Sequence, residues 1–389
     1  MTESSPTRAP GPDRRLMELN AAWRAALIRT LDVCADTFQL LFGTTGADDA
    51  PHLLEQIADM VPEDAAVSVA PPQGSLRRST EYGRLLNALA PETENGLCGV
   101  LGAAYPGWIR YRNAALPGST QQSLFDAWSQ RHLPAGRAQL ARQHFAADTD
   151  ALIRLRDAYW ASQNRFPVVM PGIGLSLVPE YVGPREACTA PMFALRDGRI
   201  AFDSEAPDRM ARTATWFRDT GRAAARMLPG FVAPAARLLE SRIIAERITV
   251  TGRIGSRAVV PVTPGNWYDD QVVARAAAAE RDEAVWDAWS SAGSWTSFFG
   301  PAGKLARHVS HLVMVGDIEL DVVVHARFDA TEIAAVSQLL PKGVWPFMAS
   351  RGRSVGPDLR MVPHPEGKLQ FRLTTTAPQC WGVLVEFAA

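Results

Sequence analysis

The period of the hydrophobic pattern changes partway along this 389-residue chain, and this change limits the possible folds more than any other feature. In the N-terminal part, apolar residues recur at every third or fourth position, which is the period of a helix. From Arg247 onward, apolar and polar residues alternate, which is the period of a strand with one buried face. The sequence therefore predicts an α+β fold, in which an N-terminal helical domain is followed by an antiparallel β-sheet domain with packed helices.

A proline-rich segment separates the two patterns. Residues 166–191 contain five prolines and three glycines, a composition typical of irregular structure. The N-terminus is polar and contains proline without any apolar period. We therefore predict a disordered tail at residues 1–15, a helical domain at 16–165, an irregular crossover with a hairpin at 166–205, and an α+β domain with an antiparallel sheet at 206–389.

Two long helices follow from the apolar stripes. The first is predicted from Leu16 to Leu41, with Gly43 as its C-terminal cap. The second is predicted from Asp269 to Trp289, where large side chains recur on one face.

Pairs of glycine and aspartate between apolar runs predict tight turns. Asp197-Gly198 predicts a hairpin over residues 193–202, and Gly316-Asp317 predicts another over 308–328. Residues 247–263 alternate in the same way and predict a further strand pair.

The charge balance argues against two classes of partner. Lysine plus arginine number 40 and aspartate plus glutamate number 41, whereas nucleic acids and membrane surfaces attract a clear excess of positive charge. No apolar run approaches the roughly 20 residues that span a bilayer. The four cysteines form no CxxC pair, so a reducing compartment is indicated. We predict a soluble cytoplasmic protein without a nucleic-acid or membrane partner.

The predicted hairpin at Gly316-Asp317 brings two histidines together. In that register His308 lies directly opposite His325, at about 4.5–5.5 Å between their Cβ atoms. Asp321 shares the same polar face, so the three side chains could bind a divalent metal. The alternative is that both imidazoles are solvated residues of that face.

A second candidate site is aromatic. Seven large rings occur in one short stretch and could stack on a planar ligand or contact a partner protein. The alternative is that they form the core between a helix and the sheet. The candidate ligand-binding residues are Trp286, Trp289 and Trp295, beside Trp267, Tyr268, Phe298 and Phe299.

A third candidate site lies in the crossover. Long segments without regular structure are uncommon and often functional, and clefts commonly form between domains. Tyr181 and Arg185 are the candidate ligand-binding residues there. The alternative is a plain strap between the two parts.

Two classes of function stay open. The first is a binding or assembly protein that contacts a protein partner, or another copy of itself, through the aromatic-rich region. It is favoured because the chain has eleven tryptophans and no visible nucleophile or cofactor motif. The second is an enzyme that acts on a small molecule, with or without a divalent metal, near His308 and His325 or in the crossover.

Overall fold

The fold combines helices with one large and mostly antiparallel sheet, which confirms the predicted α+β class. It is seen in a computed structural model that describes residues 12–46, 51–63, 67–69, 77–90, 97–114, 121–163, 166–170, 174–206, 234–280, 285–287, 290–348 and 358–387.

Most of the N-terminal part is helical, as the period of its apolar residues predicts, and further helices pack on the sheet. The helices of the described residues are α1 (Pro12–Leu31), α2 (Pro51–Ala58), α3 (Arg78–Ala88), α4 (Leu97–Leu101), α5 (Tyr105–Asn113), α6 (Gln121–His132), α7 (Ala135–Gln163), α8 (Pro184–Thr189), α9 (Pro234–Ala245), α10 (Asp270–Ala278), α11 (Trp295–Phe299) and α12 (Ala330–Leu339). None of them is both long and apolar enough to cross a membrane.

Strands dominate the C-terminal part, although two belong to the N-terminal part. They are β1 (Phe38–Gly46), β2 (Val67–Val69), β3 (Phe166–Met170), β4 (Gly174–Val178), β5 (Tyr181–Val182), β6 (Phe193–Ala194), β7 (Arg199–Asp203), β8 (Ile248–Pro261), β9 (Thr263–Pro264), β10 (Arg307–Val324), β11 (Gly343–Val344), β12 (Phe347–Met348), β13 (Leu359–Val362), β14 (Leu369–Thr375) and β15 (Gln379–Phe387).

Two long strands, β8 and β10, form the centre of the large sheet. They pair with each other in antiparallel fashion, and the other edge of β10 pairs first with β15 and then with β14. β15 continues to β1, which pairs in parallel with β2. Along residues 318–324 of β10, buried and more exposed side chains alternate, which confirms the predicted alternation there.

The predicted hairpins are wrong, because two of the predicted strand pairs are single long strands and both arms of the third pair with the same neighbouring strand. Residues 308–324 lie in β10 and residues 248–261 in β8. β6 and β7 both pair with β8 instead of with each other. Asp317 has a φ of 52° inside β10, where it interrupts the pairing with β8. A glycine–aspartate pair satisfies the backbone of a bulge as well as that of a turn, so the sequence could not separate the two.

The two long predicted helices are each too long. α1 ends at Leu31, and the next residue, Asp32, has a φ of 49° that a helix cannot continue through. The apolar residues that extended the predicted stripe, from Phe38 to Leu41, lie in β1 and are buried on both faces. A strand buried on both faces has no period of two, so it resembled a continuation of the helix. Similarly, α10 ends at Ala278 instead of Trp289.

Three cores hold the elements together. The tryptophan core is built around Trp23, Phe202, Trp345 and Trp381. The tyrosine core is built around Tyr82, Tyr159, Tyr181, Trp267 and Tyr268. The helical core holds Trp108, Phe125, Trp128 and Phe145 of α5, α6 and α7.

The predicted domain division stays a prediction, but the first two cores draw residues from both of its parts. Residues 12–15 of the predicted tail already belong to α1, so that boundary is wrong, and residues 1–11 lie outside the described residues. The predicted irregular crossover contains β3 and β4, which pair with each other, and the short helix α8.

Candidate functional site in the tyrosine core

The two histidines of the predicted metal site lie at opposite ends of the strand β10. His308 pairs with Glu386 near the start of β10, whereas the ring of His325 lies 2.9 Å from the Thr249 hydroxyl just beyond its end. Seventeen residues of extended chain span roughly 50 Å. Asp321 accepts two hydrogen bonds from Arg372, at 2.8 and 2.9 Å. The pairing on which the metal site rested is therefore wrong, and the residues that the structure describes contain no group of three metal-binding side chains.

The aromatic-rich region is largely packed inside the chain. Trp267 and Phe298 are buried in the tyrosine core. Trp286 and Trp295 are partly buried, and their indole N–H groups donate at 2.7 Å to the carbonyls of Ala279 and Ala277. Both indoles thus bind carbonyl groups at the C-terminal end of α10, which lack partners within the helix. Trp289 lies outside the described residues.

The two crossover residues contact α2. The Tyr181 hydroxyl donates to Oδ1 of Asp59 at 2.8 Å, and Nε of Arg185 donates to Oε1 of Glu55 at 3.2 Å. Glu55 lies on α2, and Asp59 directly follows Ala58, the last residue of that helix. The backbone N–H of Asp59 donates to the Glu55 carbonyl at 3.0 Å, so the two side chains lie on the same side. The side chain of Tyr181 is almost fully buried, with only 4% of its surface exposed.

Asp59 is the centre of this network. Its carboxylate is fully buried and accepts hydrogen bonds from the backbone N–H of Ser79 at 2.8 Å and from the Ser79 hydroxyl at 2.7 Å. Ser79 lies in the first turn of α3, where a carboxylate satisfies free N–H groups and faces the positive end of the helix. Burial nevertheless raises the pKa of Asp59, and burial followed by the nearby Asp59 charge raises the pKa of Tyr181 well above its usual value.

Four of the six tyrosines in the chain surround this network. The Tyr82 ring lies 4.8 Å from that of Tyr268 and 5.7 Å from that of Trp267. Tyr159 packs against Gly83, where an added Cβ would come within 2.5 Å of the ring, so the close approach requires glycine. Burial raises the pKa of Tyr159 to about 12. The result is an apolar wall with hydroxyl groups at its edges.

Arg78 is the cation of the tyrosine core. Only 5% of its surface is exposed, its Nη2 donates to the Tyr268 hydroxyl at 2.5 Å, and its Cζ lies 4.7 Å from the centre of that ring. Its buried Nε has no hydrogen-bond partner among the described residues. No ion pair to a carboxylate is found for this guanidinium within the described part of the chain.

His308 lies within the electrostatic reach of Arg78. Burial, and then the charge of Arg78, lower the pKa of His308 to about 4, so its imidazole is neutral at physiological pH. Its buried Nδ1 likewise has no hydrogen-bond partner among the described residues. The same Arg78 charge acts on the Tyr181 phenol. The charge of Arg78 therefore reaches both His308 and Tyr181, which the sequence assigned to two separate sites.

Sequence reasoning missed Asp59, Ser79 and Arg78. An acidic residue between Ile57 and Met60 of an apolar stripe is a weak signal of a buried carboxylate, and it was the only one available. Comparison of the chain with protein-family models, curated proteins and solved structures finds no match, so the function has to be inferred from the geometry of the site.

Proposed function

We propose that this chain binds a small organic molecule in the tyrosine core, where the Asp59–Tyr181 pair can exchange a proton with the ligand. The observation that carries the proposal is the fully buried Asp59 carboxylate, which accepts hydrogen bonds from both Ser79 and Tyr181. Ionisable groups in a core are costly, and groups with strongly shifted pKa values are concentrated at functional sites.

The surroundings of Asp59 support a ligand site. Small-molecule sites are mostly apolar and aromatic, with a few convergent polar groups that fix the orientation of the ligand. The tyrosine core supplies rings from Tyr82, Tyr159 and Tyr268, and its polar groups come from α2, α3, the crossover and β10. The enzyme hypothesis expected a site near His308 and His325 or in the crossover, and the proposal retains His308 and Tyr181 of the crossover but not His325.

A purely structural role explains part of the same network. Asp59 satisfies the first turn of α3, and Tyr181 attaches the crossover to α2. That role does not account for a buried arginine and a half-buried imidazole that each have a buried nitrogen without a hydrogen-bond partner among the described residues. Buried polar atoms are normally paired, so such exceptions call for an explanation.

The proposal is tested by a thermal-shift screen of small organic compounds against three proteins. Tyr181→Phe keeps the ring and removes the hydroxyl that contacts Asp59. Tyr111→Phe is the matched control, because Tyr111 lies beside the helical core, next to Trp108. We expect compounds that stabilise the wild type and Tyr111→Phe but stabilise Tyr181→Phe much less. A screen without any such compound would contradict the proposal.

Association through the aromatic-rich region is the second proposal, and it has less support. Trp267 and Phe298 are buried, and the indole N–H groups of Trp286 and Trp295 are bonded within the chain. Light scattering after size-exclusion chromatography tests it, because self-association predicts a mass above the 42.3 kDa of one chain. The cytoplasmic location and the lack of a nucleic-acid partner stay predictions from composition.

A further inference from the structure

We infer that Arg78, together with His308 and the Tyr268 hydroxyl, binds the carboxylate group of a small organic monoanion. This inference rests on the proposed function and names the class of its ligand. The first step is the state of Arg78 itself. A guanidinium that is 5% exposed and has no carboxylate partner in the described chain leaves a buried positive charge without compensation.

The second step is the direction in which the guanidinium can still bind. One of its nitrogens, Nη2, donates to the Tyr268 hydroxyl, and its Cζ lies over the Tyr268 ring, 4.7 Å from the centroid. Nε–H stays unpaired among the described residues. A carboxylate binds an arginine edge through one or two parallel N–H groups, which makes it the natural partner for this nitrogen.

The third step is the charge of the ligand. Arg78 is the one cation that acts on both His308 and Tyr181, and His308 stays neutral at physiological pH. Burial favours the protonated, neutral form of Asp59, so a single negative charge compensates Arg78, whereas a doubly charged phosphate would leave an excess of negative charge in the site. The unpaired Nδ1 of His308 supplies a second hydrogen-bonding group for the carboxylate or for a neighbouring hydroxyl of the ligand.

The fourth step is the body of the ligand. The Tyr268 ring lies next to the guanidinium, and the rings of Tyr82 and Trp267 pack with it, with centroids 4.8 to 5.7 Å apart. Such a wall favours an apolar, flat group attached to the carboxylate. Benzoate is thus a suitable probe, acetate tests the carboxylate alone, and benzamide is the neutral control of the same shape.

The test follows the Nε–H resonance of Arg78 by NMR while these probes and inorganic phosphate are added. We expect benzoate, and more weakly acetate, to shift this resonance in a saturable way, whereas benzamide and phosphate do not. The buried Arg24, whose Nε already donates to the Phe38 carbonyl, is the internal control and should not move. Arg78→Met should abolish benzoate binding. Arg84→Met, which removes the half-exposed partner of Glu81 on the same helix, should bind benzoate normally.

Two results would overturn the inference: an Arg78 resonance that no carboxylate moves, or benzoate binding that survives in Arg78→Met. Stronger binding of phosphate than of benzoate would show that the ligand class is wrong. The proposed function fails separately. A neutral compound whose binding depends on Tyr181 but not on Arg78 would support the small-molecule site and contradict the inference that its ligand carries a carboxylate. Benzoate binding that depends on Arg78 but is unchanged in Tyr181→Phe would support the carboxylate inference and contradict the role of the Asp59–Tyr181 pair.

Discussion

The tryptophan core and the tyrosine core lie against the same sheet and are similarly buried, but they use their polar groups differently. In the tryptophan core, the Trp345 indole donates to Asn20 at 2.8 Å and the Trp381 indole donates to Gln379 at 2.9 Å. In the tyrosine core, a carboxylate, a guanidinium and an imidazole share one buried region, and two of their nitrogens are unpaired among the described residues.

One buried arginine near each core makes the contrast concrete. Arg24 is 2% exposed, and its Nε and Nη2 donate to the carbonyls of Phe38 and Ala35. Burial lowers the pKa of Arg24 to about 10, but these carbonyls compensate part of the desolvation. Within the described part of the chain, the Arg78 guanidinium has only the Tyr268 hydroxyl and ring as partners. We therefore propose that the tyrosine core binds a ligand, whereas the tryptophan core serves stability.

The largest effect is expected in the tryptophan core. Trp23 contacts Phe202, Trp345 and Trp381, so Trp23→Ala should lower the free energy of unfolding by about 3–5 kcal/mol through the lost contacts and the cavity. Urea unfolding at neutral pH measures this loss. A loss below about 1 kcal/mol would show that this core does not hold the fold together.

The next effect concerns Asp59. Asp59→Ala should cost about 2–3 kcal/mol in urea unfolding, because the Ser79 and Tyr181 donors are left buried without an acceptor. Asp59→Asn keeps an acceptor and should cost less. An unchanged free energy of unfolding in Asp59→Ala would mean that water replaces the carboxylate as the acceptor, and that the network is open to water.

Asp59 also predicts a pH dependence. Its pKa is raised in the folded chain, so the folded state holds the proton more tightly than the unfolded state. The stability from this group is complete below the unfolded value of 3.8 and is lost as the pH rises through the folded pKa. Asp59→Asn does not titrate, so its stability curve should lack this decrease. Equal slopes for the variant and the wild type would contradict the raised pKa.

His308 predicts the opposite slope. Its pKa falls from 6.5 to about 4 on folding, so protons bind the unfolded state more tightly in this range. The wild type should lose stability, by about 1–3 kcal/mol, as the pH falls from 6.5 to about 4, and His308→Asn should be less sensitive. His325→Asn is the comparison, because burial and then the charge of Lys368 lower the pKa of that half-buried ring in the same direction but less, so this variant should change the curve less. Identical curves of stability against pH for the two variants would show that His308 does not belong to the buried network.

The smallest effect is expected at the edge of the tyrosine core. The Arg185 side chain is 55% exposed, so Arg185→Ala should cost less than about 1 kcal/mol although its partner Glu55 is buried. Thermal unfolding at low and high salt measures it. A larger loss would indicate that the crossover depends on this ion pair for its attachment to α2.

The sequence predicted the strand-forming regions well and their connections poorly. The alternation from Ile318 to Val324 identified a strand with one buried face. It could not show that Gly316-Asp317 lies within one strand instead of joining two, because glycine and aspartate, which here has a φ of 52°, are also typical of a tight turn. The false register of His308 and His325 followed directly from that choice.

The site could be predicted only in part. Tyr181 and Arg185 were selected because they lie in a proline-rich crossover, and they do contact the buried network. Asp59 and Arg78 come from two helices whose contact depends on tertiary packing. Arginine is usually exposed, so its burial at position 78 is invisible in the sequence.

The most direct test of this contrast compares the unfolding free energies of Arg24→Met and Arg78→Met in urea. Arg24→Met should lose about 2–3 kcal/mol, because the Phe38 and Ala35 carbonyls lose their donors. Arg78→Met should change stability by less than about 1 kcal/mol or increase it, since an uncompensated buried charge is removed. If Arg78→Met costs as much as Arg24→Met, the two cores serve the same structural purpose and the contrast between them is wrong.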